Sequence, residues 1–558
     1  MNLNTFRKEL ATPHTSIQLC LIGIIGGVCA ASLIILFRLT VDWLQTKFLV
    51  ETSYYGDLAP SIRFALPIIG ALSIILIAYL TGFKHYRMGI PFVIHRIKQF
   101  FGRIPFRTTV NQFLGGAVAL ASGFSVGREG PSVHLGAFGS SFFGQWFRLP
   151  NNSIRILSGC GIAAGISASF NTPFAAVIFV MEVVLREYRI HIFIPVMLAA
   201  ACGSVMTRAV FGELQELSFI QFHDFSQWIY LYLIVFGMVL GAIATLFNNS
   251  LMLIMKRSNR LNMVYRLLIA GVVTGVVGVI LPDSLGAHFD SAHAFIADND
   301  SMKILIAVLC AKFFLTIVAI GLGIPGGVMG PVFVIGMISG AILVAPLGMF
   351  VDNPNDLQGS FSLLGMAGLM AAVVHAPLAA LSAVMELSYS PQLILPAILV
   401  IVPAYVTSTQ LLGNSSIFIR QLTFQKLPFT TSSVIGELQK TGVLSVMEEN
   451  YKVISDNNEN LVGLLDNPEN TLVVSKSAEE EQIKFSIVGY DQKPDCDTRR
   501  ITYSEMKGVR SQATLAEVYE ILAAKRQGAV FVYAASYEEI IGIITWDILR
   551  NNLHKANY

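Results

Sequence analysis

The chain has 558 residues and a net charge of +2, with 54% hydrophobic and 13% charged residues. Soluble globular domains carry about 25% charged residues, so a wholly soluble fold is excluded. The near-neutral balance gives no reason to expect a nucleic-acid partner.

Residues 1–16 hold Arg7, Lys8 and His14 against one acid, Glu9, which places the N-terminus in the cytoplasm by the positive-inside rule. Apolar stretches then recur: Ile17 to Leu36, Ile62 to Leu80, Trp228 to Leu246, Leu267 to Leu281, Ile304 to Leu322 and Leu393 to Leu412. Several reach the roughly 20 residues that cross a bilayer. The first is too long, and too much membrane sequence follows it, to be a cleaved signal peptide. Shorter stretches broken by Gly and Pro read as tilted or partial helices lining a protein interior. Cys20, Cys29, Cys160, Cys202 and Cys310 lie in apolar segments and read as buried, inert thiols, while Cys496 lies in the tail. No metal spacing or disulfide framework appears.

The apolar part is duplicated. Gly127-Arg128-Glu129-Gly130-Pro131 returns 200 positions later as Gly327-Val328-Met329-Gly330-Pro331. Pro173-Phe174-Ala175-Ala176 leads to Val180-Met181-Glu182, and Pro377-Leu378-Ala379-Ala380 leads to Val384-Met385-Glu386. Paired, broken helices are how membrane transporters build an ion site at mid-depth. Pro suits a first helical turn, and the free N–H groups there attract an anion. Gly89-Ile90-Pro91 is a third such break. One difference between the copies stands out: where the second has Met329, the first has Glu129. A carboxylate in apolar sequence is a functional suspect, and one placed at an anion-attracting helix start is a plug.

Composition changes near Gly413: residues 413–558 hold 34 charged residues and net −4, whereas residues 1–412 hold 40 and net +6. In the tail, Thr514 to Glu517 reads as a capping box opening a helix to about Arg526. Residues 529–533 and 540–545 read as buried strands, and Trp546 to Leu553 as a second helix. This run resembles the second half of a CBS pair; a first half, Thr441 to Val488, carries an acidic insertion at Glu479 to Glu481. Nucleotide-binding CBS domains hold the closing Thr and Asp three apart, but here Thr545 and Asp547 are two apart. A structural or regulatory tail is therefore favoured over one that binds adenine nucleotide, and no other cofactor is expected.

On Gly127 to Pro131, Gly89-Ile90-Pro91 and Gly327 to Pro331, the chain from about residue 17 to 422 resembles the CLC family of chloride channels and proton–chloride exchangers. The resemblance implies an all-α polytopic membrane protein, an inverted repeat of broken and tilted helices with a cytoplasmic α/β CBS-like domain. It divides into a cytoplasmic N-terminus (1–16), membrane repeats (17–215 and 216–422), a linker (423–440) and the tail (441–558). It further implies a homodimer in the plasma (inner) membrane, one pore per subunit and both termini cytoplasmic, carrying chloride or similar small anions. Glu129 falls on the family's gating glutamate. Met88, Gly89, Ile90, Arg128, Gly130, Val328, Met329 and Phe418 fall around its anion site.

Departures from the family's pattern shape the expectation. Met88 replaces the central serine and Phe418 the central tyrosine, so two hydroxyl donors are missing. The fluoride-exporting branch shares the Met, yet Gly127 to Pro131 keeps the chloride form. Val183 occupies the position of the inner proton-carrying glutamate, which favours a passive voltage- or pH-gated anion channel over a proton-coupled antiporter. Glu182, repeated as Glu386, reads either as a helix-terminal hydrogen-bonding group or as a substitute proton relay. His134 reads as a satisfied helix histidine, His375 as a loop cap and Arg128 as a partner of another carboxylate. The apolar part has no H-E-x-x-H or G-x-S-x-G pattern, so no enzymatic activity is expected.

Overall fold

Prolines mark where membrane helices begin. Pro60, Pro91, Pro173 and Pro377 each occupy a first helical turn, where the missing N–H would lack an intrahelical acceptor anyway. The computed structural model describes residues 3–49, 55–83, 88–212, 225–286, 302–349, 357–430, 432–455, 461–465, 472–479, 482–490 and 501–555. Arg87, Cys496, Glu480, Glu481 and the 215/216 repeat boundary lie outside them. The chain divides into two compact units: Cys20–Phe143 with Ile156–Phe429, and Met1–Leu19 with Gly144–Arg155 and Thr430–Tyr558.

Helix α1 (Leu3–Ala11) belongs to the second unit. The first unit is helical. Its first half contains α2 (Ile17–Gln45), α3 (Pro60–Leu80), α4 (Ile90–Phe100), α5 (Phe106–Ala121), α6 (Glu129–Trp146), α7 (Asn151–Phe170), α8 (Pro173–Phe179) and α9 (Ile190–Phe211). Its second half contains α10 (Gln227–Ser258), α11 (Met263–Ile280), α12 (Met302–Leu322), α13 (Met329–Leu343), α14 (Gln358–Val374), α15 (Pro377–Ser388), α16 (Ile394–Val406) and α17 (Ile417–Phe424). Among the described residues nine helices are long and apolar enough to cross a membrane. Outward-facing Ile17, Tyr79, Ile190 and Trp228 are each more than 70% exposed, as side chains bathed in lipid are.

The halves are inverted. Gly271 of α11 lies against Pro67 and Ala71 of α3, while Gly275, one turn on, meets Phe64. These equivalent helices therefore run in opposite directions. Within each half the same glycine contact recurs: Gly136 of α6 meets the carbonyl of Gly161 on α7, and Gly336 of α13 meets that of Gly365 on α14. A Cβ at these crossings would strike backbone, so the small residues set the helix spacing. The cysteines correct one expectation: Cys160 is buried, but Cys29 and Cys310 are exposed. An apolar segment has a lipid-facing side as well as a core side, and these two lie on the former.

The second unit gathers the tail with α1 and the α6–α7 turn. The Asn152 and Ser153 side chains donate to Leu10 O at 3.1 and 2.6 Å, and Gly442 N–H donates to Ala11 O at 2.9 Å. The tail holds two sheets. In one, β1 (Tyr451–Ser455) runs parallel to β2 (Leu472–Glu479), which is antiparallel to β3 (Gln482–Tyr490), followed by β4 (Ile501–Glu505). In the other, β5 (Lys507–Arg510) runs parallel to β6 (Ala529–Tyr533), which is antiparallel to β7 (Ile540–Thr545). The repeated parallel-then-antiparallel order is that of a CBS-like pair. Of the acidic insertion, Glu479 is described: it ends β2 and pairs with Gln482 of β3. The capping box at Thr514 and Glu517 is present, but its helix spans Leu515–Leu522 and stops short of Arg526. The last helix is Trp546–Lys555.

Candidate functional site

The two Gly-x-x-Gly-Pro loops meet at the centre of the membrane unit. Gly127 N–H donates to Gly327 O at 2.8 Å, and Gly327 N–H donates to Gly127 O at 2.6 Å, closing an antiparallel bridge between the repeats. Gly130 packs on the backbone of Gly326 and Gly327, where a Cβ would lie 2.6 Å from Gly326 O. Three helices begin here: α4 after Gly89 (φ 90°), α6 at Glu129 and α13 at Met329. The first N–H groups of a helix have no intrahelical acceptor, so the crossing concentrates positive backbone dipole.

Glu129 occupies that crossing and is 2% exposed. Its carboxylate lies against Gly127, Gly327 and Gly330, each of which would overlap it if given a Cβ. The carboxyl side chain thus rests on glycine backbone from both repeats. It also lines an otherwise mostly apolar cavity with Phe170, Phe179, Met329, Phe333 and Met370.

A second cavity, of about 40 Å³, is lined by Met88, Ile90, Gly327, Val328 and Phe418. Glu129 lines the first and packs on Gly327, which lines the second. Four of the expected anion-site residues, Met88, Ile90, Val328 and Phe418, therefore come together. Gly89 and Gly130 support the backbone beside them. Met329 faces the apolar cavity with Glu129. Arg128 is directed elsewhere: its guanidinium stands 4.5 Å from the Phe170 ring centroid, within electrostatic reach of Asp42.

Glu182 and Glu386 cap each other's helices. The Glu182 carboxylate accepts from Leu378 N–H at 3.2 Å and Ala379 N–H at 2.8 Å, at the start of α15. The Glu386 carboxylate accepts from Phe174 N–H and Ala175 N–H, both at 2.8 Å, at the start of α8. This is the helix-terminal bond that their repetition points to. Val183 is buried beside Glu182. His134 is buried, within 3.2 Å of the Thr108 hydroxyl and stacked on Phe92. His375 ends α14 with φ 63°. Gln112 also lines the second cavity, and sequence reasoning passed it over because it follows Thr108, Thr109 and Asn111 in what reads as a polar helix face.

The chain matches the family model described as "Voltage gated chloride channel" over residues 69–409. It is 28% identical to the H(+)/Cl(-) exchange transporter ClcA of Vibrio campbellii, covering 75% of this chain and 91% of that protein. It is also 28% identical to ClcA of Klebsiella pneumoniae, covering 74% and 90%. Its fold resembles a slow cyanobacterial Cl⁻/H⁺ antiporter (TM-score 0.63, 22% identity, 75% of this chain and 98% of that one). A eukaryotic CLC transporter matches over 95% of this chain and 97% of that one, tail included (TM-score 0.57, 18% identity). With two inverted helical halves meeting at paired glycine loops, and a family model spanning most of the membrane unit, the chain belongs to the voltage-gated chloride channel (CLC) family of membrane anion transporters.

Proposed function

We propose that this protein exchanges chloride for protons, with Glu129 serving as both gate and proton carrier. The observation that carries this reading is the buried Glu129 carboxylate on the Gly127, Gly327 and Gly330 backbone. An ionised carboxylate there competes with chloride for the same dipoles. Once protonated it loses that attraction and swings away, so chloride entry and proton binding become linked. The expectation of a passive channel rested on Val183. The relatives named H(+)/Cl(-) exchange transporter favour exchange instead. With Val183 unable to titrate and Glu182 engaged at the α15 N-terminus, protons would reach Glu129 through water entering the apolar cavity.

The same reading includes a homodimer with one pore per subunit in the inner membrane. Both termini would be cytoplasmic, supported by basic Arg7 and Lys8 on α1 within the tail unit. The tail is read as structural, because the two residues a nucleotide would use are locally engaged. Thr545 Oγ1 accepts from Ile548 N–H at 3.3 Å, and Asp547 pairs with Arg550 at 3.0 Å. The deciding experiment is the zero-current voltage of the reconstituted protein under an imposed pH gradient at fixed chloride. Exchange predicts a shift with pH set by the stoichiometry; a voltage that follows chloride alone returns the channel reading. Replacing chloride by fluoride in the same cell tests the fluoride expectation raised by Met88.

A further inference from the structure

The cavity lined by Met88 and Phe418 lacks the two hydroxyl donors that Ser and Tyr would supply there. Its polar side chains are instead three amides, Gln112, Gln421 and Gln425, and among the described residues no Lys or Arg lines it. Gln112, on α5, is 1% exposed, and its Nε2 is buried without a hydrogen-bond partner. An amide NH₂ offers two donors and no acceptor. Buried donors are rarely left unmatched in native folds, so one on a side chain that lines a cavity calls for an acceptor nearby. The neighbouring backbone comes from the starts of α4 and α13, at Ile90 and Val328, so the acceptor favoured is an anion.

We propose that Gln112 is a direct anion ligand, its Nε2 donating to chloride in this cavity in place of the missing hydroxyls. The assignment rests on the anion-transport reading and deepens it. An uncharged amide holds the ion by directed hydrogen bonds without the deep attraction of a buried cation, which suits an ion that must also leave. Gln421, 8% exposed, and half-buried Gln425 lie on and just beyond α17 and would solvate the ion as it enters.

Isothermal titration of chloride into the purified full-length protein tests this. Gln112→Met keeps an unbranched side chain of similar size and removes both donors, and it is expected to weaken chloride binding about tenfold, the worth of one hydrogen bond to an ion. Gln112→Lys is expected to tighten it. Wild-type crystals soaked in bromide should show an anomalous peak within hydrogen-bonding distance of Gln112 Nε2, a readout needing no variant. Unchanged affinity in folded Gln112→Met, or a bromide peak in the cavity away from Gln112, overturns the assignment and leaves anion transport standing. A wild type that binds neither ion overturns both.

Discussion

The two halves of the membrane unit share one backbone plan and differ in what they hang on it. Gly127–Pro131 and Gly327–Pro331 form matching helix starts, yet one presents Glu129 and the other Met329, 2% and 6% exposed. Glu182 and Glu386 are the opposite case: identical residues with reciprocal hydrogen bonds. Symmetric pairs build the scaffold, and the asymmetric pair does the work. A buried carboxyl with no counterpart in its mate is costly, and the proposed exchange gives it a reason to stay.

The glycine pair Gly130 and Gly330 sharpens this most. Alanine at Gly130 would drive its Cβ into the backbone of Gly326 and Gly327, whereas alanine at Gly330 would first meet the Glu129 side chain. Gly130→Ala is expected to cost about 3 kcal/mol, visible as loss of folded protein on size exclusion. Gly330→Ala should fold and push the gate aside, raising chloride efflux from liposomes with a flatter pH profile. Equal behaviour of the two variants would break the distinction between scaffold and gate.

Restoring the missing hydroxyls comes next. Met88→Ser with Phe418→Tyr adds two donors to the cavity that Met88 and Phe418 line. Each hydrogen bond to an ion is worth roughly 1.5–3 kcal/mol where nothing already replaces it. Chloride should bind more tightly by titration calorimetry, and equal or weaker affinity would remove Phe418 from the anion site.

The smallest effect belongs to the matched pair. Glu182→Gln and Glu386→Gln each lose the charge from two N–H bonds at a helix start, and each should lower stability by about 1 kcal/mol in thermal unfolding in detergent, to similar extents and with transport retained. Loss of proton coupling in Glu182→Gln alone would make it the relay and end the symmetry.

Much of this was legible in the sequence, because duplication with fixed spacing is a physical signal. Gly127 and Gly327 announced paired helix starts, and the repeated Glu182 and Glu386 announced a shared role. Their partners were not legible, since each carboxylate reaches across to the other repeat. Helix α7 was missed as a span: Asn151, Asn152, Ser153 and Arg155 dilute its hydropathy, and its best 18-residue window is 100% buried in protein, where small polar residues pack against neighbouring helices. Gln112 was missed for a related reason, because a polar residue on a polar-looking helix carries no mark of which cavity it faces.

The central claim is that one carboxylate, Glu129, both blocks chloride and carries the proton. It is tested most directly in proteoliposomes with an outward chloride gradient and a trapped proton-sensitive dye, comparing wild type with Glu129→Gln. The account predicts uphill proton movement driven by chloride in the wild type. In Glu129→Gln it predicts no proton movement, with chloride flux undiminished and insensitive to pH. Proton movement that survives in Glu129→Gln, or chloride flux with an unaltered pH profile, would contradict it.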